Sequence, residues 1–388
     1  MSQQQIILTD VANQIWIDSI EITPEEGPTL AGSPDWSVLK FPMQGGLSDG
    51  VDVVTLNNGR LSVSVLPTRG MGLWLGEIDG IEVGWNSPVE LPVHPKFVNH
   101  SERGGLGWLA GFNEWICRCG LAWNGPPGKD TGGNPLESDL TLHGRIANLP
   151  AHFVEVTIDT AGDGAISVTG TIDEAMLFGS RFRLQSTVRM TAGSNSLEIR
   201  DEVTNLGGQP AELELLYHTN IGEPFLEAGS RVVLPARILG ARDERSAEGL
   251  SDWNVYGPPE TGFVEQAYFA ELLEDLDGMT QVLLMNETGD LGLSLRYSLQ
   301  ELPCFTLWKN TRSHAEGYVT GLEPGTNYPN FRSHEREMGR VINLGPDETY
   351  SCGFEVTIHT SAEEVTQVVE QIEQLQSTQS LEIAPGVP

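Results

Sequence analysis

The stretch Leu61-Ser62-Val63-Ser64-Val65 alternates apolar and polar side chains with a period of two residues. This period is typical of a β-strand, because successive side chains point to opposite faces of a sheet. Strand-like runs continue along most of the chain, over residues 153–158, 165–172, 181–190, 197–204, 212–217, 281–285, 291–298, 304–309, 318–322 and 350–359. Clusters of Gly, Pro, Asn and Asp separate the runs, as at residues 57–59 and 345–347. Because these connections are short, most neighbouring strands are expected to be antiparallel.

Two helices are predicted outside this β pattern. Residues 361–376 place valine and isoleucine side chains on one face, and Ser361 begins a Ser-x-x-Glu capping box with Glu364. A shorter helix is predicted over residues 269–276. The tail after Leu381 has no pattern and is expected to be loose.

The predicted fold class is all-β, a large antiparallel sandwich of two extensive sheets with a few short helices. We expect an N-terminal extension over residues 1–50 that packs on the main domain. The sandwich itself is predicted over residues 51–360, and the C-terminal helix and loose tail over residues 361–388.

Composition limits the partners of the chain. Its 388 residues include 22 Lys and Arg against 54 Asp and Glu, a formal net charge of −32. Such a chain repels phosphate backbones and anionic lipids, so neither a nucleic acid nor a membrane is an expected partner. No run approaches the roughly 18–20 apolar residues of a membrane span, and residues 1–11 lack the pattern of a secretory signal. We therefore expect a cytoplasmic protein, with the oligomeric state left open and a homodimer allowed.

The cysteines Cys117, Cys119, Cys304 and Cys352 show no CxxC motif and no Cys/His spacing of a metal site. They are expected to be reduced, partly buried thiols. The sequence therefore implies no cofactor and no metal.

Reactive side chains gather in four segments that end predicted strands. These segments are 66–72 with Arg69, 142–150 with His143 and Arg145, 215–224 with His218, and 318–329 with Glu323. An acid–base pair accompanied by cationic hydrogen-bond donors is typical of a site for a small polar substrate.

These segments carry a family resemblance. LHGRIANLPA at 142–151, LYHTNIGEP at 216–224, LPCFTLWKN at 302–310 and GLEPGTNYP at 321–329 resemble the DUF4432 branch of the galactose mutarotase (aldose 1-epimerase) superfamily. GFNEWICRCGLAWNGPP at 111–127 resembles it as well, and the similarity runs from about residue 50 to residue 358. The resemblance implies a galactose mutarotase-like β-supersandwich whose concave face binds a sugar.

The resemblance also implies roles for individual residues. His143 in the Leu-His-Gly signature would bind substrate, His218 would be the general acid and Glu323 the general base. Asp243 is the candidate for the aspartate that contacts sugar hydroxyls. Tyr217 stands where the family has asparagine, and the usual glutamine after Glu323 is missing, so the hexose specificity of the family does not carry over.

Mutarotation explains why such residues would be needed. One proton leaves the anomeric hydroxyl and another reaches the ring oxygen, so one base and one acid must serve two oxygens on the same carbon. We expect Glu323 to start ionised and His218 protonated.

The remaining candidates would bind and position the sugar. His143, Arg69, Arg145 and Lys309 are expected to be hydrogen-bond donors. Trp308 is expected to stack on the sugar's apolar face. Arg145 follows His143 by two residues, so on an extended strand both would point to the same side.

One basic stretch stands out in this acidic chain. Arg332, His334, Arg336 and Arg340 are expected to pair with the surrounding carboxylates. The alternative is that they receive a phosphorylated or carboxylated sugar.

Other functions remain open at this point. His143, His218 and Glu323 could form a two-histidine, one-carboxylate metal site, as in a metal-dependent isomerase or lyase, although no H-x-H or H-E-x-x-H spacing exists. Glycoside cleavage usually needs two opposed carboxyl groups, and only Glu323 stands out. A non-catalytic carbohydrate-binding protein would not need both His218 and Glu323.

Overall fold

The computed structural model describes residues 3–33, 35–384 and 386. Its strands, numbered β1 to β26 in chain order, are Gln3–Asp10, Ile15–Trp16, Ile20–Ile22, Ser37–Pro42, Asp52–Asn57, Leu61–Leu66, Gly72–Ile78, Ile81–Val83, Ile116–Leu121, Gly128–Lys129, Asp139–Leu140, Phe153–Asp159, Ala165–Ala175, Arg181–Thr191, Ser196–Asn205, Ala211–Ile221, Arg231–Val233, Ala236–Ala241, Gln266–Leu272, Met279–Met285, Gly292–Ser298, Cys304–Thr311, Tyr318–Gly325, Ile342–Leu344, Thr349–His359 and Glu382–Ala384. The α-helices, α1 to α4, are Glu102–Gly105, Glu244–Ala247, Arg332–Glu337 and Ala362–Gln376. Short 3₁₀ turns cover Gly46–Ser48, Pro95–Phe97, Gly107–Gly111, Pro135–Glu137, Ile146–Asn148 and His314–Glu316.

Most strands belong to two large sheets. One sheet has 14 strands, along the path β26-β18-β19-β22-β23-β16-β9-β7-β6-β5-β4-β3, with β24 paired to β16 and β8 to β7. The other has ten strands in the order β17-β20-β21-β25-β15-β14-β13-β12-β1-β2. Neighbouring strands are antiparallel except β18 and β26, which are parallel. The predicted all-β fold with two extensive antiparallel sheets is confirmed.

The alternating pattern of the sequence accounts for the core. Leu61, Val63 and Val65 on β6 are fully buried, and they share one apolar cluster with Val168 on β13 of the ten-stranded sheet. Burying apolar surface between sheets stabilises a fold by roughly 25 cal/mol per Å². The core therefore lies between the two sheets, and the opposite face of each sheet is not part of it.

A buried ion pair crosses that core and determines which side chains of β9 and β16 face outwards. Arg118 on β9 donates from Nη2 to Asp201 on the ten-stranded sheet at 2.9 Å and to Ser186 Oγ at 2.7 Å. Tyr217 on β16 donates its hydroxyl to the same Asp201 at 2.8 Å. Because side chains alternate along a strand, the neighbours of Arg118 and Tyr217 face away from the core. His218 is one of these neighbours.

The C-terminal helix is confirmed, whereas the shorter helix predicted over residues 269–276 is wrong. Ser361 caps α4 by accepting from the Glu364 amide at 3.3 Å, and the Glu364 carboxylate accepts from the Thr360 amide at 2.9 Å. Residues 266–272 instead form β19, which pairs with β18 on one side and β22 on the other. Its apolar residues are buried because the strand lies inside the sheet, and this pattern does not distinguish a buried strand from a short helix.

Both ends of the described chain take part in the sheets. β1 pairs with β12, and β4 pairs with β5, so residues before position 50 extend each sheet. The expectation of a loose tail after Leu381 is corrected for residues 382–384, which form β26 beside β18; residues 385, 387 and 388 lie outside the described residues. The division into three regions stays a prediction. Among the described residues, no helix combines the length and apolarity needed to traverse a bilayer.

Candidate active site

The register of two central strands brings His218 and Glu323 together. On β16 and β23, Thr219 pairs with Leu322 and Leu216 with Gly325, so His218 lies opposite Glu323. His218 Nε2 and Glu323 Oε1 are 3.2 Å apart, and both side chains are nearly fully buried. Two segments more than a hundred residues apart in sequence thus meet as predicted.

This pair lines a cleft of about 330 Å³. The residues around it are Leu106, Trp108, Leu109, Phe112, Pro126, Pro127, Leu142, His143, His218, Arg242, Glu265, Ala267, Thr306, Trp308, Glu323 and Pro329. Ligand sites typically combine apolar and aromatic walls with a few convergent polar groups, and the volume falls in their usual range of roughly 300–1,000 Å³.

His143 enters the cleft from a tight turn. His143 and Gly144 both have left-handed φ angles, of 57° and 71°. A Cβ at Gly144 would collide with the carbonyl oxygens of Gly120 and Trp123, so only glycine allows this approach. The His143 Nδ1 donates to the Asn124 carbonyl at 2.8 Å, which fixes the ring, and the His143 and His218 ring centres are 5.8 Å apart.

Burial determines the protonation of the His218–Glu323 pair. Loss of solvent raises the pKa of Glu323 well above its ordinary value. Burial, together with the charge of His143, lowers the pKa of His218 to about 3. The favoured form is a carboxylic acid beside a neutral imidazole, the reverse of the ionised Glu323 and protonated His218 expected from the sequence. In either form the His218–Glu323 pair holds one proton that can be transferred.

The pKa of His143 is raised, in contrast to that of His218, because a thiol lies beside it. Burial alone would lower the pKa of His143, but Cys119 beside it raises that pKa to about 9. Burial likewise opposes the Cys119 thiolate, yet hydrogen bonding from Cys117 and the charge of His143 lower the Cys119 pKa to about 6. The two groups therefore form a thiolate–imidazolium pair near neutral pH, in which the thiol is buried and the imidazole is partly buried. From the sequence, Cys119 was expected only to be a reduced, partly buried thiol.

A chain of polar contacts forms the rim of the cleft. Trp308 Nε1 donates to Glu265 Oε2 at 2.7 Å, and the Trp308 ring centre is 5.2 Å from that of His218. Arg242 Nη1 lies 3.1 Å from Glu265 Oε1. The predicted Trp308 is thus in the cleft, whereas sequence reasoning missed Arg242 and Glu265. Glu265 immediately precedes the strand that was predicted as a helix, and Arg242 was overlooked beside Asp243.

Asp243 itself does not line the cleft. Its carboxylate caps α2 by accepting from the Ser246 amide at 2.8 Å, and it pairs with Arg242 Nε at 2.9 Å. Asp243 therefore contacts the rim through Arg242, and its predicted contact with sugar hydroxyls is not supported by its position.

Arg69 lies behind the cleft wall and not in it. Its Nε donates to Glu114 at 2.6 Å, Nη1 to the Val93 carbonyl at 2.7 Å and to Asn148 at 3.0 Å, and Nη2 to the Gly111 carbonyl at 2.8 Å. Arg69 therefore joins loops of the protein, and because its side chain is buried outside the cleft lining, its position does not support the expected sugar contact.

Lys309 is also held inside the protein. Its Nζ donates to the carbonyls of Asp252 at 3.3 Å, Trp253 at 3.0 Å and Val255 at 2.7 Å. It lies next to Trp308 in sequence and so points to the other face of β22. The expectation that it positions substrate is corrected for this reason.

Arg145 is half-buried and outside the cleft lining. Arg145 and His143 were expected to point to the same side, which requires an extended strand. The left-handed turn at His143 and Gly144 interrupts the extended backbone, so this expectation does not hold. Of the predicted sugar-binding residues, the structure therefore brings His143 and Trp308 to the His218–Glu323 pair and leaves Arg69, Arg145, Lys309 and Asp243 outside the cleft.

Two buried amides connect the loops on either side of the site. Asn124 Nδ2 donates to Asn327 Oδ1 at 2.9 Å, and Asn327 Nδ2 donates back to Asn124 Oδ1 at 3.2 Å. Asn124 also accepts from His143, and Asn327 follows Glu323 in the GLEPGTNYP segment. This asparagine clasp joins the segment that holds His143 to the strand that carries Glu323.

The three arginines of the basic stretch form ion pairs, as expected, whereas the expected pairing of His334 stays a prediction. Arg336 Nη2 lies 2.7 Å from Asp130 and 2.8 Å from Glu212, and Arg332 Nη2 lies 2.6 Å from Glu212. Arg340 pairs with Glu335 at 2.6 Å. None of these arginines lines the cleft. Within the described ranges, no three His, Cys, Asp or Glu side chains come together in a way that could hold a metal ion.

Comparison with known proteins identifies the family of this chain. The model of the domain of unknown function DUF4432 matches residues 48–358. The solved structure of a candidate aldose 1-epimerase from Klebsiella pneumoniae is 31% identical, with a TM-score of 0.93, and the match covers 99% of this chain and 98% of that chain. A search of curated proteins found no match.

More distant structures share the fold. A galactose mutarotase-like protein from Clostridium acetobutylicum is 15% identical, with a TM-score of 0.58, over 82% of this chain and 97% of that chain. A candidate aldose 1-epimerase from Escherichia coli K12 is also 15% identical, with a TM-score of 0.51, over 79% and 99% of the two chains.

Proposed function

The chain belongs to the DUF4432 family and has a galactose mutarotase-like fold, and from this premise we propose that it is an isomerase that interconverts the anomers of an aldose. The observation that carries the proposal is the His218–Glu323 pair, with 3.2 Å between Nε2 and Oε1 in an aromatic-walled cleft. The anomeric and ring oxygens of an aldose are bound to one carbon, so two groups in such close contact can reach both.

The proposed reaction moves one proton out of the sugar and another into it. One member of the pair takes the proton of the anomeric hydroxyl while the other protonates the ring oxygen, and the bond between that oxygen and the anomeric carbon breaks. After rotation about the bond to the neighbouring carbon, the aldehyde closes on its other face and both proton transfers reverse. Because Glu323 holds the proton of the pair before reaction, His218 accepts a proton during ring opening and Glu323 donates one.

The charges around the cleft support an uncharged sugar. Among the described residues that line the cleft, Arg242 is the one Lys or Arg side chain. It is already paired with Glu265 and with Asp243. The His143 charge is offset by the Cys119 thiolate. A phosphorylated or carboxylated sugar would therefore bring a negative charge to a cleft without a free cation, in a chain of net charge −32.

The test follows anomer interconversion of freshly dissolved neutral, acidic and phosphorylated aldoses by NMR exchange or polarimetry. We expect acceleration of a neutral aldose by the wild type, and losses of about 10²–10⁴-fold in kcat for Glu323→Gln and for His218→Asn. Glu301→Gln and His314→Asn, which change the same residue types outside the cleft, serve as matched controls and should retain activity.

Two results would overturn the proposal. Binding of aldoses by calorimetry with no interconversion above buffer would favour a non-catalytic carbohydrate-binding protein. Glu265 gives the cleft a second carboxyl group, so aryl glycosides should be assayed in parallel. Cleavage of these, without mutarotation, would assign the pair to glycoside hydrolysis.

A further inference from the structure

Gly321 occupies an unusual position for a glycine. It lies inside β23, one of the central strands of the 14-stranded sheet, and pairs with Trp308 on β22 and with Asn220 on β16. A glycine inside a strand weakens it, because it loses more conformational freedom on folding and has no side chain to pack. Its φ angle is not left-handed, so the backbone itself does not require glycine there.

The space beside Gly321 is filled by the catalytic pair. Gly321 and Glu323 are two residues apart and so face the same side of the strand. A Cβ at Gly321 would overlap Glu323 Oε1 at less than 3.0 Å, and it would lie 3.2 Å from both Glu323 Cδ and His218 Cε1. The carboxyl group therefore occupies the volume that any other residue at position 321 would fill.

Little else holds that oxygen. Glu323 Oε1 has no hydrogen-bond partner among the described residues, and neither has His218 Nδ1. Its position 3.2 Å from His218 Nε2 thus depends on the shape of the surrounding wall more than on hydrogen bonds.

We infer that Gly321 is a positioning residue: its missing side chain lets the Glu323 carboxyl lie against His218, and any larger residue would displace it. This inference rests on the proposed function in taking the pair as the catalytic unit. It adds that the sequence must keep a glycine two residues before the glutamate, at the expense of strand stability.

The experiment compares Gly321→Ala with Gly208→Ala. Gly208 lies in a turn outside the cleft, where an added Cβ would meet no atom within 4 Å and the φ angle is not left-handed. We expect Gly321→Ala to lower kcat by about tenfold or more, to change the pH profile and to leave Tm no lower than in the wild type. Gly208→Ala should keep wild-type activity and pH profile. Equal kcat values and pH profiles in the two variants would refute the inference.

A crystal structure of Gly321→Ala separates this inference from the proposed function. A separation of Glu323 Oε1 from His218 Nε2 well beyond 3.2 Å supports the positioning role, even if no aldose proves to be a substrate. An unchanged separation refutes it. If Gly321→Ala does not fold, we expect addition of Glu323→Asp, whose shorter side chain avoids the new Cβ, to recover folded protein. Failure of that rescue would contradict the inference.

Discussion

The charges of Cys119, His143 and His218 depend on one another. The Cys119 thiolate stabilises the positive charge of His143. Burial is the larger cause of the low His218 pKa, and the charge of His143 is the second cause. Burial in turn keeps Glu323 protonated. The protonation of His218 therefore depends in part on a thiol that lies outside the cleft lining.

Replacement of Cys119 tests this dependence. In Cys119→Ala we expect the pKa of His143 to fall from about 9 towards its ordinary value or lower, because burial then acts without the thiolate. The pKa of His218 should rise above about 3, because a neutral His143 no longer opposes its protonation. NMR titration of the histidine Cε1 protons measures both. Cys304→Ala, which removes a buried thiol from a different apolar cluster, is the control. An unchanged His143 titration in Cys119→Ala would contradict this account.

The same pKa shifts predict the pH profile of the wild type. Activity requires the pair to hold one proton, so it should be lost as pH falls through the His218 pKa of about 3 or rises through the raised pKa of Glu323. His218 and Glu323 should therefore cause no loss of rate between pH 5 and pH 7, where an ordinary histidine would titrate. A change near pH 6 that disappears in Cys119→Ala would come from the thiol, whose pKa is about 6. The pH dependence of kcat/KM measures this in both proteins, and a step near pH 6.5 that persists in Cys119→Ala would argue against the neutral pair.

At the scale of elements, the site depends on the register of two neighbouring strands; His218 and Glu323 lie inside these strands and not at the strand ends expected from the sequence. His218 and Glu323 belong to neighbouring strands, and their register brings them together. His143 comes from a loop. Its hydrogen bond to the Asn124 carbonyl and the asparagine clasp hold that loop beside the pair. Strand alternation in the sequence could predict the first relation, but nothing local in the sequence predicts a hydrogen-bonded pair of amides that lie 203 residues apart.

Breaking the clasp should loosen His143 without removing a reacting group. In Asn327→Leu both amide hydrogen bonds are lost and Asn124 keeps unpaired buried donors, so we expect the free energy of unfolding to fall by about 1–3 kcal/mol. We expect a lower kcat as well, because His143 is held by the same segment. Urea unfolding and the anomer exchange rate measure the two effects. Asn343→Leu, at an exposed position on β24, is the control. Wild-type stability and activity in Asn327→Leu would show that the clasp does not support the site.

At the scale of the whole molecule, the sequence predicted the sandwich and the meeting of His143, His218, Glu323 and Trp308. It did not predict the destinations of Arg69 and Lys309. A cation beside a Gly/Pro turn or at a strand end can face a ligand or bind backbone carbonyls, and only the packing of distant loops decides between them. Glu265 and Cys119 were missed because they gain their roles only when β9, β19 and β22 assemble around the cleft.

The most direct test of the central claim is a crystal structure of Glu323→Gln soaked with a neutral aldose. The account predicts a sugar in the cleft, with its anomeric and ring oxygens within about 3.2 Å of His218 Nε2 and of the residue 323 amide. A sugar bound elsewhere, or bound in the cleft with its anomeric carbon turned away from both side chains, would contradict it.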